Sequence, residues 1–147
     1  MPTVQDLLDK KGSQVWSLSP ENSVQTALEI MAVHQCGAVL VIEGSKVVGI
    51  FSERDFVRCS VEIPGFTKAA KVQIAMSSPV FYVTPDQSVD QVMLLMTEKR
   101  IRHLPVMDHE QLVGMISIGD VVRDVISERE TTIRGLENYI IGREVSL

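Results

Sequence analysis

Cysteine, basic clusters and long apolar runs are all scarce in this chain, and each scarcity closes off a class of function. The two cysteines, Cys36 and Cys59, stand without a CxxC or paired His/Cys spacing, so neither a disulfide framework nor a zinc site is expected. Against 19 Asp and Glu there are 14 Lys and Arg, a net charge of -5, and no basic cluster exceeds a pair such as Lys10-Lys11. Nucleic acid and anionic membrane surfaces are therefore poor partners. No stretch reaches the ~18 apolar residues of a membrane span, and the opening MPTVQDLLDKKG has early acids and no apolar run of signal-peptide length. A reducing cytoplasm is the expected location. Also missing are a Walker-type Gly-rich loop, paired catalytic carboxylates and a nucleophile flanked by a base, so no catalytic residue, metal or catalytic cofactor is expected.

What the chain has is a core's worth of apolar residues, 45% of 147, and an internal repeat. Residues 15–58 align with 80–123 at a constant offset of 65, and 12 of the 44 pairs are identical, where average composition gives roughly three. Matched apolar pairs such as Val24/Val89, Met31/Met96 and Val41/Val106 read as core. A second set, Gly49/Gly114, Ser52/Ser117, Asp55/Asp120 and Arg58/Arg123, recurs as a local polar pattern.

Each copy opens on a β-like run, Val15 to Leu18 or Val80 to Val83, followed by a turn at Pro20 or Pro85. Ser23 and Ser88 suit helix N-caps, and behind them Val24, Ala27, Leu28, Met31 and Val89, Val92, Met93, Met96 keep the spacing of one apolar helical face. Two hairpins follow, Ala38 to Phe51 and Leu104 to Ile116, and then helices beginning near Ser52 and Ser117. The unit is β-α-β-β-α, and a unit of ~45 residues folds poorly alone, so an α+β fold with two copies packed in pseudo-twofold symmetry is expected. Short helices at 3–8 and 71–76 are expected to lead into copies one and two. The resulting division is 3–64, 65–127, and a C-terminal amphipathic helix and tail over 128–147, where Ile133, Leu136, Ile140 and Ile141 form an apolar stripe.

The element order, the segment Ile101-Arg102-His103-Leu104-Pro105-Val106 and the twofold pattern Gly-x-x-Ser-x-x-Asp, at Gly49 to Asp55 and Gly114 to Asp120, resemble the cystathionine-β-synthase (CBS) domain family. The resemblance spans roughly residues 3–127 and implies a tandem, Bateman-type module. It implies adenosine-containing ligands, AMP, ADP, ATP, NAD or S-adenosylmethionine, in clefts between the repeats, and a flat homodimer.

The implied binding residues carry matching chemistry. Ser52 and Ser117 at helix N-termini offer hydroxyls and free N–H groups to phosphate, and Asp55 and Asp120 can accept both ribose hydroxyls. The alternative for the same pairs is a plain helix cap that needs no ligand. Arg102 and His103, followed by Leu104 and Pro105, border the cleft in the family's manner, His103 with a charge that varies near neutrality. Copy one has Gly37, Ala38 and Val39 there instead, small enough for an adenine to approach the backbone, so two unequal sites are expected. Val39, Ile50, Val106 and Met115 are candidates to touch the base. Arg54 adds a phosphate candidate, while Arg58 and Arg123 read either as phosphate ligands or as solvated helix residues. Trp16, Phe81 and Tyr82 are expected at the interface between repeats, and both cysteines as small buried hydrophobes. The function these residues point to is a non-catalytic nucleotide sensor that signals to a partner protein in trans. The competing readings are a ligand-free structural dimeriser and, more remotely, a nucleotide-processing enzyme.

Overall fold

Hydroxyl caps cut the chain where the repeat predicts. In the computed structural model, which describes residues 1–133, Thr3 opens α1 (Val4–Lys11), Ser23 opens α2 (Val24–His34), Ser52 opens α3 (Glu53–Glu62) and Ser88 opens α5 (Val89–Lys99). Each hydroxyl accepts the backbone N–H three residues on, which satisfies one of the donors that a helix start leaves unpaired. A short α4 (Val72–Ala75) joins the copies, and α6 (Ile118–Ile133) closes the second. Helices α2 and α5 end on Gln35 and Arg100 in the left-handed region, at φ 52° and 54°.

The hairpins form as β2 (Ala38–Glu43) with β3 (Lys46–Ser52), and β4 (His103–Asp108) with β5 (Gln111–Ser117), in identical register with one irregularity each. Strand alternation then assigns the faces. Val39, Val41 and Phe51 enter the core of copy one, and Leu104, Val106 and Ile116 that of copy two. Ala38, Leu40 and Met115 lie between the two sheets with Val15, Ile50 and Leu112 around them. The α+β architecture of two paired repeats is thus present, with three apolar clusters rather than one.

The opening strand differs between the copies. β1 (Ser17–Leu18) runs parallel to β2, held by the Leu40 N–H donating to the Trp16 carbonyl at 3.0 Å. Pro105 stands at the position of Leu40 and has no N–H to donate, so the expected run Val80 to Val83 is reduced to a single bridge between Val83 and Val106.

The leading helices pack in a crossed arrangement. Val4, Leu7 and Leu8 of α1 are buried in the core of copy two, beside Val89, Leu104 and Ile116. Val72 and Ala75 of α4 are buried in the core of copy one. The expectation that each short helix leads into the copy that follows it therefore holds in chain order and fails in packing. The contacts are matched: Val4 N–H donates to the Gln87 carbonyl as Val72 N–H does to Asn22, and Thr3 bridges Ser88 as Lys71 bridges Ser23. A Cβ on Gly114 would lie 2.7 Å from Leu8 Cδ2, so a larger residue there would force the Leu8 side chain to shift where α1 packs on β5.

These matched pairs are 68 residues apart, against 65 in the body of the repeat, because copy one has three more residues between its leading helix and its first strand. α1 uses them for an extra turn that carries Lys10 and Lys11. At the other end, α6 runs on to Ile133, past the boundary expected at 128, while the stripe formed with Leu136, Ile140 and Ile141 lies outside the described residues.

Leu8→Ala should cost about 2–5 kcal/mol, the range for a buried leucine. Hydrogen exchange on that variant should quicken first in β4, β5 and α5 of copy two; earlier loss of protection in β2 and β3 would contradict the crossed packing.

Candidate ligand cleft

Both copies of the Ser-x-x-Asp pattern fold into the same reciprocal cap. Ser52 N–H donates to Asp55 Oδ2 at 2.9 Å and Asp55 N–H to Ser52 Oγ at 3.4 Å. Ser117 and Asp120 repeat this at 2.8 and 3.3 Å. Both pairs thus form helix caps, a geometry that either reading requires, and what distinguishes them is the company each carboxylate keeps.

Asp55 accepts from Arg58 at 3.2 Å and from the Ser77 hydroxyl at 2.7 Å. Asp120 accepts from Arg123 at 2.6 Å and from Lys11 Nζ at 2.7 Å, while Lys11 also donates to the Met115 carbonyl at 2.7 Å. Burial alone would raise the Asp120 carboxyl, but the Lys11 hydrogen bond and charge and the Ser117 N–H outweigh it and hold the group below its ordinary value of 3.8. Arg58 and Arg123 are thus partners of their own caps rather than purely solvated side chains.

Asp120 and Ser117 look into a cleft of about 340 Å³ whose other wall comes from copy one: Gln14, Val15, Trp16 and the turn Gln35-Cys36-Gly37-Ala38. His103, Met115 and Arg123 complete it from copy two. In this cleft the small residues of copy one, Gly37 and Ala38, meet the Ser117/Asp120 cap of copy two rather than the Ser52/Asp55 cap of their own copy. Gly37 makes the approach close, since a Cβ there would lie 3.2 Å from both the His103 ring and Glu53 Oε1.

Other expected residues lie elsewhere. Val39 and Leu104 are fully buried in the cores of their own copies, as is Val106, because alternation turns them away from the partner sheet. Ile50 and Met115 do reach the space between the sheets. Arg102 is exposed, and its carbonyl accepts the Ile118 N–H at 2.8 Å. Arg54 crosses between copies, donating to the Arg100 carbonyl at 2.6 Å. Pro105 is buried and borders a wider groove of about 970 Å³, lined also by Lys46, Tyr82 and His109, which neither Ser/Asp cap reaches.

The aromatic residues divide. Trp16 stacks on His34, ring centroids 3.4 Å apart, and forms a wall of the cleft. Phe81 and Tyr82 are exposed, Phe81 beneath the Lys99 ammonium, so the expected packing between repeats does not occur there. Cys59 is fully buried as expected, whereas Cys36 is half-buried on the cleft wall and burial pushes its thiol up. Burial likewise pushes His103 down from 6.5, against the pull of Glu53, so near neutrality its ring is an uncharged hydrogen-bonding group. Lys11, Gln14, Val15, His34, Gln35, Cys36 and Gly119 are cleft residues that sequence reasoning did not assign to a site. The signal for Lys11 was available in the three residues by which the leading segments break register.

A family profile for the CBS domain matches residues 4–62 and 70–127. The chain belongs to the CBS domain family. Among curated relatives, the mitochondrial CBS domain-containing protein CBSX3 of Arabidopsis thaliana is 35% identical over 95% of this chain and 72% of its own length. A solved structure of a protein with CBS domains from Burkholderia ambifaria MC40-6 is 41% identical, with a TM-score of 0.83 over 89% of this chain and 98% of that one. The structure of CBSX2 in complex with AMP is 25% identical, with a TM-score of 0.72 over 88% and 99%. The chain is therefore a tandem CBS pair, and a solved relative of it holds an adenosine nucleotide.

The His103 shift has a definite sign. The native state binds that proton less readily than the unfolded chain, so stability is full above about pH 6.5 and declines as pH falls through that value. Urea unfolding at pH 7.5 and 5.5 should show this loss in the wild type and a smaller one in His103→Gln; equal losses would remove His103 as its source.

Proposed function

We propose that this CBS pair is a non-catalytic sensor of an adenosine nucleotide of the AMP, ADP, ATP or NAD class, passing its ligand state to a partner protein in trans. The observation that carries the reading is the composition of the Asp120 cleft. A carboxylate at a helix start faces small backbone from the opposite repeat, with an indole on one side and two cations nearby. Its volume of about 340 Å³ lies in the small-ligand range of roughly 300–1,000 Å³. In this reading the ribose diol takes Asp120, the base lies along Gly37 and Ala38 between Val15, Trp16 and Met115, and the phosphate meets Arg123, Lys11 and the start of α6. The AMP complex of CBSX2 supports the ligand class.

A ligand so placed touches both repeats. Among the described residues the apolar cluster between the two sheets contains three buried residues, Ala38, Leu40 and Met115, so a ligand bridging the copies adds substantially to what fixes their mutual angle. It shifts that angle to the extent that it binds one arrangement better than another. The counterpart side, with Ser52, Arg54, Asp55, Arg58 and Arg102, forms the second and unequal site of the proposal.

Turnover forms no part of the reading, in which Asp120 holds a ribose and no residue of the cleft is given a catalytic role. Among the described residues no cluster of His, Cys, Asp and Glu is arranged to hold a metal, and no helix is long and apolar enough to cross a membrane. Two free cysteines agree with a reducing, cytoplasmic setting.

The reading includes a homodimer. Val57 and Val61 on α3, and Val122 and Ile126 at the matching positions of α6, are exposed apolar residues that together make one surface feature of each repeat. This favours α3 and α6 as the dimer contact.

Calorimetry with AMP, ATP, NAD and S-adenosylmethionine tests the ligand class: at least one should bind, and Asp120→Ala should weaken it by roughly tenfold or more, about 1.4 kcal/mol. Absence of heat and of any thermal shift with all four would leave the structural dimeriser as the better account. For the assembly, Val61→Glu with Ile126→Glu should convert a dimer into a monomer in light scattering, and a wild type that is already monomeric contradicts the contact.

A further inference from the structure

We infer that Lys11 makes the Asp120 cleft selective for ligands bearing a negative charge, an inference that rests on reading this cleft as an adenosine site. Lys11 is there because α1 is one turn longer than α4, through the three residues by which copy one exceeds copy two. Its ammonium is bound between Asp120 Oδ2 and the Met115 carbonyl, both at 2.7 Å, with the side chain only 34% exposed. The counterpart carboxylate, Asp55, receives the neutral Ser77 hydroxyl in that role.

A carboxylate has about four acceptor positions. At Asp120, among the described residues, Oδ2 accepts from Ser117 N–H, Ser117 Oγ and Lys11, and Oδ1 from Arg123 alone. The two Ser117 bonds hold the cap and remain. A ribose diol that engages both oxygens must therefore displace Lys11 from Oδ2 and meets Arg123 on Oδ1. Arg123 is 74% exposed and moves into water at little cost. Lys11 lies deeper, and once released it is a partly desolvated cation in the cleft. A phosphate on the same ligand supplies the anion that Lys11 has lost, whereas an uncharged nucleoside leaves it unpaired. Occupancy by a phosphorylated ligand thus exchanges one ion pair for another, and occupancy by a neutral one breaks an ion pair without replacement.

Trp16, the single tryptophan of the chain, lines this cleft and reports on it directly. Fluorescence titrations with AMP and with adenosine, which differ only by the phosphate, test the inference in the wild type, Lys11→Met and Lys11→Arg. The wild type should prefer AMP. Lys11→Met should weaken AMP by roughly tenfold, about 1.4 kcal/mol, while adenosine binds as well as before or better; Lys11→Arg should restore the preference. Lys11→Gln, which retains a donor for the Met115 carbonyl, takes the place of the Met variant if thermal melts show that one unfolded. An equal change in both ligands would make Lys11 a brace with no say in selectivity and overturn the inference alone. A wild type whose cleft responds to neither ligand overturns the adenosine reading and the inference with it.

Discussion

The burial of α1 in the second repeat is the constraint on which the rest of the molecule depends. Each repeat unit needs a short helix over the far side of its hairpin, and copy one obtains it from the segment that follows, α4. Copy two has no such segment among the described residues and takes the helix from the start of the chain, burying Val4, Leu7 and Leu8. The two repeats are thereby closed into a ring of contacts in which neither core is complete without chain from beyond its own contiguous repeat. Units of this size bury too little surface to fold singly, and the crossed helix makes their folding a joint event.

The same crossing brings chemistry together. Because α1 lies on β5 and against α6, its last turn ends at the Ser117/Asp120 cap, and a lysine more than 100 residues away in sequence becomes the partner of Asp120. The pseudo-twofold arrangement also brings the start of β2 near that of β4, so Gly37 meets His103 and a wall from one copy faces the cap of the other. The polar cap is local and nearly identical in the two copies. The difference between the sites comes from non-local groups, Lys11 on one side and Ser77 on the other.

Much of this was legible in the residues. Hydroxyl caps at Ser23, Ser52 and Ser88, the period of the apolar faces behind them and the two hairpins all depend on interactions within a few residues, which leave a mark on composition and spacing. The constant offset revealed the repeat, and the motifs at Ile101 to Val106 and in the two Gly-x-x-Ser-x-x-Asp segments carried the resemblance to the family. The opening strand of copy two was not legible, because its loss turns on Pro105, a residue more than 20 positions away that cannot donate to it. Val39 and Leu104 were assigned to the site through their neighbours, although alternation sends adjacent strand residues to opposite faces. Trp16 and Phe81 occupy equivalent positions and yet one lines a cleft beside His34 while the other is exposed, a difference set by what packs around each.

By itself the sequence determined the duplication and the order of elements within each copy, which follow from short-range geometry repeated at a fixed interval, and its motifs carried the resemblance to the CBS family. Only the tertiary structure decided which copy each leading helix completes, which wall faces which cap, and that Lys11 is the ion inside the Asp120 cleft. Those contacts join residues far apart in the chain through buried apolar surface, which is non-directional and carries no spacing from which a partner could be read.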